Sequence, residues 1–198
     1  MTGCGCAPHS LRSTRRTGLV FGAPDWGKIA QVADSQEPDN SELIAKASLA
    51  LAAMRAGADN DALDRLITPH SASPGLAEAR EIMLLLFGEC SGMVSALGSG
   101  GTTPVKMQVY DDDGQEVPID QADPPVRTAV RTLLAQVHGD AESARDQIEI
   151  ALTSAEAEEV ASLMLQALRW TMRLGLECLE RDLPVSPWIS ESLTDAPD

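Results

Sequence analysis

The stretch Ser154–Arg181, SAEAEEVASLMLQALRWTMRLGLECLER, decides the fold. It is long enough for about seven helical turns and contains no proline. Its polar residues Ser162, Gln166, Arg169, Arg173, Glu177 and Glu180 follow one another at steps of four or three, so they form one line on a helix. The remainder is apolar: Val160, Leu163, Met164, Leu165, Leu168, Trp170, Met172, Leu174, Leu176 and Leu179. A helix with so narrow a polar stripe must be covered on several sides. It is the expected central helix, wrapped by the helices that precede it.

Those helices are legible from their punctuation. Asp39, Asn40 and Ser41 offer N-caps to a helix running to Arg55, with Leu43, Ile44, Ala47, Leu51 and Met54 inward and Gly57 as its stop. A short helix follows over Asn60–Ile67, then a loop over 68–74 rich in proline and serine, then a long helix over Gly75–Leu97. In that long helix Gly88, Gly92 and Ala96 are spaced by four. Two glycines inside a helix cost about 1 kcal/mol each, and the row predicts a close helix crossing there, with Gly175 as its partner. Val105–Tyr110 alternates with period two, Asp113-Gly114 supplies a turn, and Gln115–Ile119 resumes the alternation, which predicts a small hairpin. Pro118 places its strand at an edge. A helix then opens at Pro124 or Pro125 after Asp123 and closes at Gly139-Asp140. Another spans Ala141–Leu152, and Thr153-Ser154-Ala155-Glu156 reads as a capping box for the central helix. Pro184 and Pro187 are expected to end helical structure, with Trp188 and Ile189 tucking back onto the bundle.

The expected fold class is therefore all-α (mainly α), a helical bundle of about six helices with a small β-hairpin between two helical halves. The expected organisation is a disordered arm over residues 1–38 and one helical domain over 39–190. Its halves are 39–98 and 120–183, with the hairpin over 105–119 and an acidic tail over 191–198. The halves resemble each other. Leu51–Gly57 lines up with Leu133–Gly139, and each is followed by a short helix, a loop and a long helix. Glu78 and Glu81 near the start of the first long helix match Glu156 and Glu159 in the second. Duplication of one helical unit is one reading of this; the repeated grammar of helical packing is the other.

Composition narrows the function. The 198 residues are 43% hydrophobic but only 3% aromatic, so the core is built of Ala, Leu, Val, Ile and Met, a mix suited to close-packed helices. Arginine outnumbers lysine twelve to three, the usage of a high-GC bacterial genome. The net charge is −15, split as +3 over residues 1–28 and −18 over 29–198. Such a body repels nucleic acid and anionic membrane and attracts a basic protein partner. A homo-oligomer is equally compatible with it. No apolar run reaches the length of a membrane span. Four cysteines in a chain of this length make no disulfide framework. Cys90 and Cys178 fall inside apolar helical patterns and read as core residues in a reduced, cytoplasmic setting.

Several motifs suggest chemistry and lack its requirements. Thr14-Arg15-Arg16 lacks the long apolar run of an export signal, because Leu19-Val20-Phe21 is stopped at Gly22-Ala23-Pro24. Cys4, Cys6 and His9 are three ligands without a fourth nearby. Asp111-Asp112-Asp113-Gly114 has the look of a calcium loop, but the first ligand position falls on Val109 and the twelfth on Asp120. Neither His70 nor His138 has a glutamate three residues before it, so the di-iron bundle pattern fails. His138, at a helix end, reads as a cap.

Glu156-x-x-Glu159 followed by Glu177-x-x-Glu180 resembles the paired acidic motifs of the all-α, MazG-like nucleoside-triphosphate pyrophosphatases. In that family the second motif ends in Asp, and a loop folds the two helices around magnesium. Here one unbroken helical pattern joins the motifs and holds Glu156 and Glu177 about 30 Å apart. Only Glu78, Glu81, Glu156 and Glu159, related by a pseudo-twofold, offer a convergent set. The sequence thus favours a non-catalytic protein-interaction or regulatory module that needs no cofactor. The alternative is a divalent-metal-dependent hydrolase of phosphate compounds, using those four carboxylates with Mg or Mn. An acidic decoy for a DNA-binding protein is a third reading, and rests on charge alone.

Overall fold

The computed structural model describes residues 37–66, 75–98, 107–110 and 114–194. Among them are seven α-helices: α1 (Glu37–Arg55), α2 (Asp59–Leu66), α3 (Gly75–Leu97), α4 (Pro124–Val137), α5 (Ala141–Ser154), α6 (Ala157–Glu180) and α7 (Pro187–Thr194). A two-stranded antiparallel sheet, β1 (Val109–Tyr110) and β2 (Glu116–Val117), falls between α3 and α4 in chain order, with Val109 opposite Val117 and Tyr110 opposite Glu116. The fold is mainly α, as the periodicities predict. Residues 1–36 of the expected arm, with Cys4, Cys6, His9, Thr14-Arg15-Arg16, the Leu19–Phe21 run and Trp26, lie outside the described residues, and Glu37 and Pro38 belong to α1. Also outside the described residues are the loop with His70, residues 99–106, which include the first two of the expected hairpin, and Asp111–Asp113.

The corners between helices are set by glycine. Gly57 and Gly139 take φ of +78° and +75°, the left-handed conformation that lets a chain leave a helix at low cost. Each corner closes with the two reversed bonds of a Schellman motif. Gly57 N donates to Met54 O (2.9 Å) and Ala58 N to Ala53 O (3.0 Å); Gly139 N donates to Gln136 O (3.0 Å) and Asp140 N to Ala135 O (2.9 Å). His138 is the cap residue of α4, with its Nδ1 2.6 Å from Leu134 O. Asp140 then caps α5, its carboxylate accepting from Ser143 N at 3.0 Å. Hydrogen bonds from Ser143 to the ionised form, from its side chain foremost and then from its backbone N–H, hold the Asp140 carboxyl below its usual range.

The capping box of the long C-terminal helix sits three residues later than its sequence suggested. Thr153 and Ser154 finish α5, their hydroxyls turned back onto its own carbonyls. Glu156 is the N-cap of α6 and exchanges bonds with Glu159, whose carboxylate accepts from Glu156 N at 3.2 Å. Glutamate can replace serine here because its carboxylate also meets the positive end of the helix dipole.

α6 packs against α1, α2, α3, α4 and α7, with Leu163, Met164, Ala167, Leu168, Thr171, Gly175 and Cys178 buried. Its expected polar line faces outward at Ser162, Arg169, Arg173 and Glu180. It shares the centre with α3, whose Ile82, Met83, Leu86, Phe87 and Cys90 are wholly buried. Phe87 meets Trp170 edge to face, with ring centroids 6.2 Å apart at 76°.

Three expectations are corrected. The row Gly88, Gly92, Ala96 marks no close crossing: a Cβ built on Gly88 or Gly92 meets nothing within 4 Å. The crowded glycine is Gly175, where a Cβ would stand 2.8 Å from Leu193 Cδ1 and 3.1 Å from Ile189 Cγ2. Its neighbour is α7, which the prolines were expected to prevent. Pro187 instead opens that helix, because its missing N–H is not needed in a first turn, and the Ser186 carbonyl accepts from Ile189 N (3.0 Å) and Ser190 N (3.1 Å). The acidic tail expected from Glu191 is helical over its described residues. α7 continues to Thr194 and buries Leu193, and residues 195–198 lie outside the described set.

Candidate functional site

The four carboxylates of the hydrolase reading occupy two helix starts, each engaged by its own neighbours. Glu78 pairs with Lys46 of α1, and both side chains are about four-fifths buried. The hydrogen bond to Glu78 outweighs the burial of Lys46 and raises its pKa. Glu81 is held between two arginines, Arg80 Nε and Arg145 Nη1, each 3.0 Å from its Oε1. Arg80 also reaches Glu149 Oε2 at 2.9 Å, which completes an ionic lattice between α3 and α5. Glu156 and Glu159 form the cap of α6. Glu177 pairs with Arg181 one turn on, still on the same unbroken helix. Among the described residues no three of His, Cys, Asp and Glu gather in a metal-binding arrangement. Asp120, the twelfth position of the calcium-like stretch, accepts from Arg131 at 2.6 Å.

Beside the α3–α5 lattice lies a cleft of about 450 Å³, walled by α1, α3, α4 and α5. Leu43, Leu84 and Leu85 line it with apolar surface. Asn40 and Gln136 contribute amides, Glu81 and Glu142 carboxylates, and Arg145 a guanidinium. Helical period explains the floor. Leu84 and Leu85 flank the buried face of α3 set by Ile82, Met83, Leu86 and Phe87, so they are half-buried rather than sealed. An apolar floor with a few polar groups at its edge is the usual make-up of a binding cleft. Arg145 and Glu149 lie four apart on α5, a spacing that puts both on the helix face that meets Glu81 and Arg80 of α3.

A second arrangement was also missed. Glu89 of α3 receives Ser186 Oγ at 2.6 Å on one oxygen and Trp188 Nε1 at 3.2 Å on the other. One carboxylate thus fixes the entry to α7 from a helix almost a hundred residues earlier, and no local pattern announces such a pairing.

At the crossing of α3 and α6, Thr171 Oγ1 donates to Ala167 O at 2.9 Å. Its only proton is therefore committed, and the Cys90 thiol, 3.3 Å away, donates to the hydroxyl oxygen. Burial pushes the Cys90 thiol up to about 12, so it is protonated and unreactive in the native state. Both Cys90 and Cys178 are buried free thiols, as their apolar settings predicted.

No known family model matches this chain, and no curated protein or solved structure is significantly similar to it. No helix among the described residues is long and apolar enough to cross a membrane.

Proposed function

We propose that the protein is a non-catalytic protein-interaction module that takes a basic, amphipathic segment of a partner into the cleft between α1, α3, α4 and α5. The make-up of that cleft carries the reading. Leu43, Leu84 and Leu85 supply a floor for apolar side chains, and Glu142 stands at its edge for a lysine or arginine beside them. The net charge of −15 steers a basic partner towards the body from a distance. The carboxylates that a metal-dependent hydrolase would use, Glu78, Glu81, Glu156 and Glu159, already serve as ion-pair and capping groups. A reduced cytoplasmic location belongs to the same proposal, because two free buried thiols suit it.

The test pairs two measurements on the full chain. Leu84→Arg places a cation on the floor, and the binding of basic amphipathic peptides, read by fluorescence anisotropy, is expected to fall at least tenfold with the melting temperature little changed. Titration with magnesium or manganese is expected to leave the melting temperature unmoved. A saturable metal-dependent rise, abolished by Glu78→Gln or Glu159→Gln, would establish the hydrolase reading instead. The assay is sensitive, because ligand at 100 times its dissociation constant adds about 2.7 kcal/mol.

A further inference from the structure

We infer that the helical body is two copies of one three-helix unit packed about a pseudo-twofold axis, and that the cleft exists because one of the two copies lacks a bridge the other has. This holds whether or not the cleft takes a partner.

The first strand of the argument is the corners. The bonds that close α1 into α2 recur 82 residues on, donor for donor. Ala56 N to Ala52 O, Gly57 N to Met54 O, Ala58 N to Ala53 O and Ala62 N to Ala58 O become His138 N to Leu134 O, Gly139 N to Gln136 O, Asp140 N to Ala135 O and Ala144 N to Asp140 O. Buried positions follow the same step: Ala47 and Ala129, Leu51 and Leu133, Ala62 and Ala144, Leu66 and Ile148. The long helices keep a step of 81. Ile82, Met83, Leu86, Phe87 and Cys90 of α3 match Leu163, Met164, Ala167, Leu168 and Thr171 of α6, all buried. The step differs from the 78 that the glutamate pairs suggest, because Glu78 corresponds to Glu159 and Glu81 to Ser162.

The second strand is the packing between units. Exchanging α1 with α4, α2 with α5 and α3 with α6 turns each helix contact within the six into another that is also present. α1 on α6 becomes α4 on α3, and α2 on α6 becomes α5 on α3. A twofold operation also requires that residues on its axis meet their own counterparts. Cys90 and Thr171 are counterparts, and they touch at 3.3 Å. Of the seven helices described, α7 alone has no counterpart.

The symmetry locates the cleft. In one copy Arg169 of α6 reaches Asp59 at the start of α2, Nη2 to Oδ2 at 2.6 Å. The counterparts are Gly88 of α3 and Ala141 at the start of α5. Neither can bridge, the space above Gly88 is open, and Ala141 lines the cleft. The cleft is thus one-sided, and Gly88 with Ala141 are the residues that keep it open.

Two experiments test this on the full chain. With Cys4 and Cys6 replaced by serine, spin labels are placed at Asp64→Cys and Arg173→Cys in one protein, and at Asp146→Cys and Gly92→Cys in another. Each residue of the second pair is the counterpart of one in the first, so the two distance distributions are expected to share one mean. Means that differ by more than the width of either distribution overturn the duplication. The second experiment adds Gly88→Arg and Ala141→Asp, singly and together. The pair is expected to exceed the sum of the singles by roughly 1.4- to 5-fold in the unfolding equilibrium constant, the range of a surface ion pair, and to abolish peptide binding if the cleft is where peptide binds. Additive singles overturn the account of the cleft and leave the distance test to decide the duplication.

Discussion

Replacing glycine by alanine at three positions gives opposite signs, and the structure fixes which is which. Gly88, Gly92 and Gly175 all lie inside long helices, where alanine is favoured over glycine by about 0.8–1 kcal/mol. At Gly88 and Gly92 the new Cβ meets nothing within 4 Å, so that gain is realised in full. In a chain of this size it is expected to raise the melting temperature by about 2–4 °C per substitution. At Gly175 the Cβ would lie 2.8 Å from Leu193 Cδ1 and 3.1 Å from Ile189 Cγ2. The leucine tip can rotate away. Ile189 is β-branched, wholly buried and stiff at its first torsion, so it moves only if α7 moves. Overpacking of this kind costs about 1–3 kcal/mol, which outweighs the propensity gain and leaves a net loss of up to about 2 kcal/mol. Urea unfolding followed by far-ultraviolet circular dichroism measures all three. Hydrogen exchange should show the Gly175→Ala loss concentrated in α7. Stabilisation at Gly175 equal to that at Gly88 would refute the seating of α7. Destabilisation at Gly88 or Gly92 would mean that another backbone does lie against that row.

The remaining predictions concern the two faces of α6 and the thiol at its crossing with α3. Leu168→Ala removes three carbons from a fully buried site and is expected to cost about 2–5 kcal/mol in urea unfolding, whereas Arg169→Ala, with a side chain 52% exposed, is expected to cost under about 1 kcal/mol; equal losses would mean that the polar line is buried too. Native Cys90 should resist thiol reagents and react only on unfolding. Its pKa is higher folded (about 12) than unfolded (near 9.0), so the stability it lends is complete below pH 9 and is lost as pH rises from there towards 12. Cys90→Ala is expected to flatten that part of the stability–pH curve, and an unchanged curve would place the alkaline loss elsewhere.

Helix content, and most helix limits to within a few residues, were legible because periodicity and caps are local. Gly57, Gly139, Asp140 and the proline pair at 124–125 each act through bonds within about five residues. The errors share one cause, that a neighbour distant in sequence decided the outcome. The small-residue row in α3 suggested a close crossing with Gly175, and only the tertiary arrangement showed that Gly175 is approached by α7 and the row stays open. Pro187 reads as a terminator until Glu89 is known to hold Ser186 and Trp188. Of the candidate carboxylates, the identities and the capping role of Glu156 could be read from the sequence, though with the box placed three residues early and Glu159 outside it. The sequence could not supply the cations that Lys46, Arg80 and Arg145 bring to Glu78 and Glu81. The cleft was invisible to it, since its walls come from four helices.

The edge-to-face contact of Trp170 with Phe87, together with the bond from Trp188 to Glu89, gives the protein two native optical reporters with separate jurisdictions. Trp170 sits where the two long helices join, and its emission follows the integrity of that junction. Trp188 donates its indole proton to a carboxylate at the root of the last helix, and its emission follows whether that helix is seated. A red shift confined to Trp188 would therefore signal departure of the last helix from an otherwise intact bundle. In a chain so poor in aromatic residues little else would mask the signal, once Trp26 has been replaced.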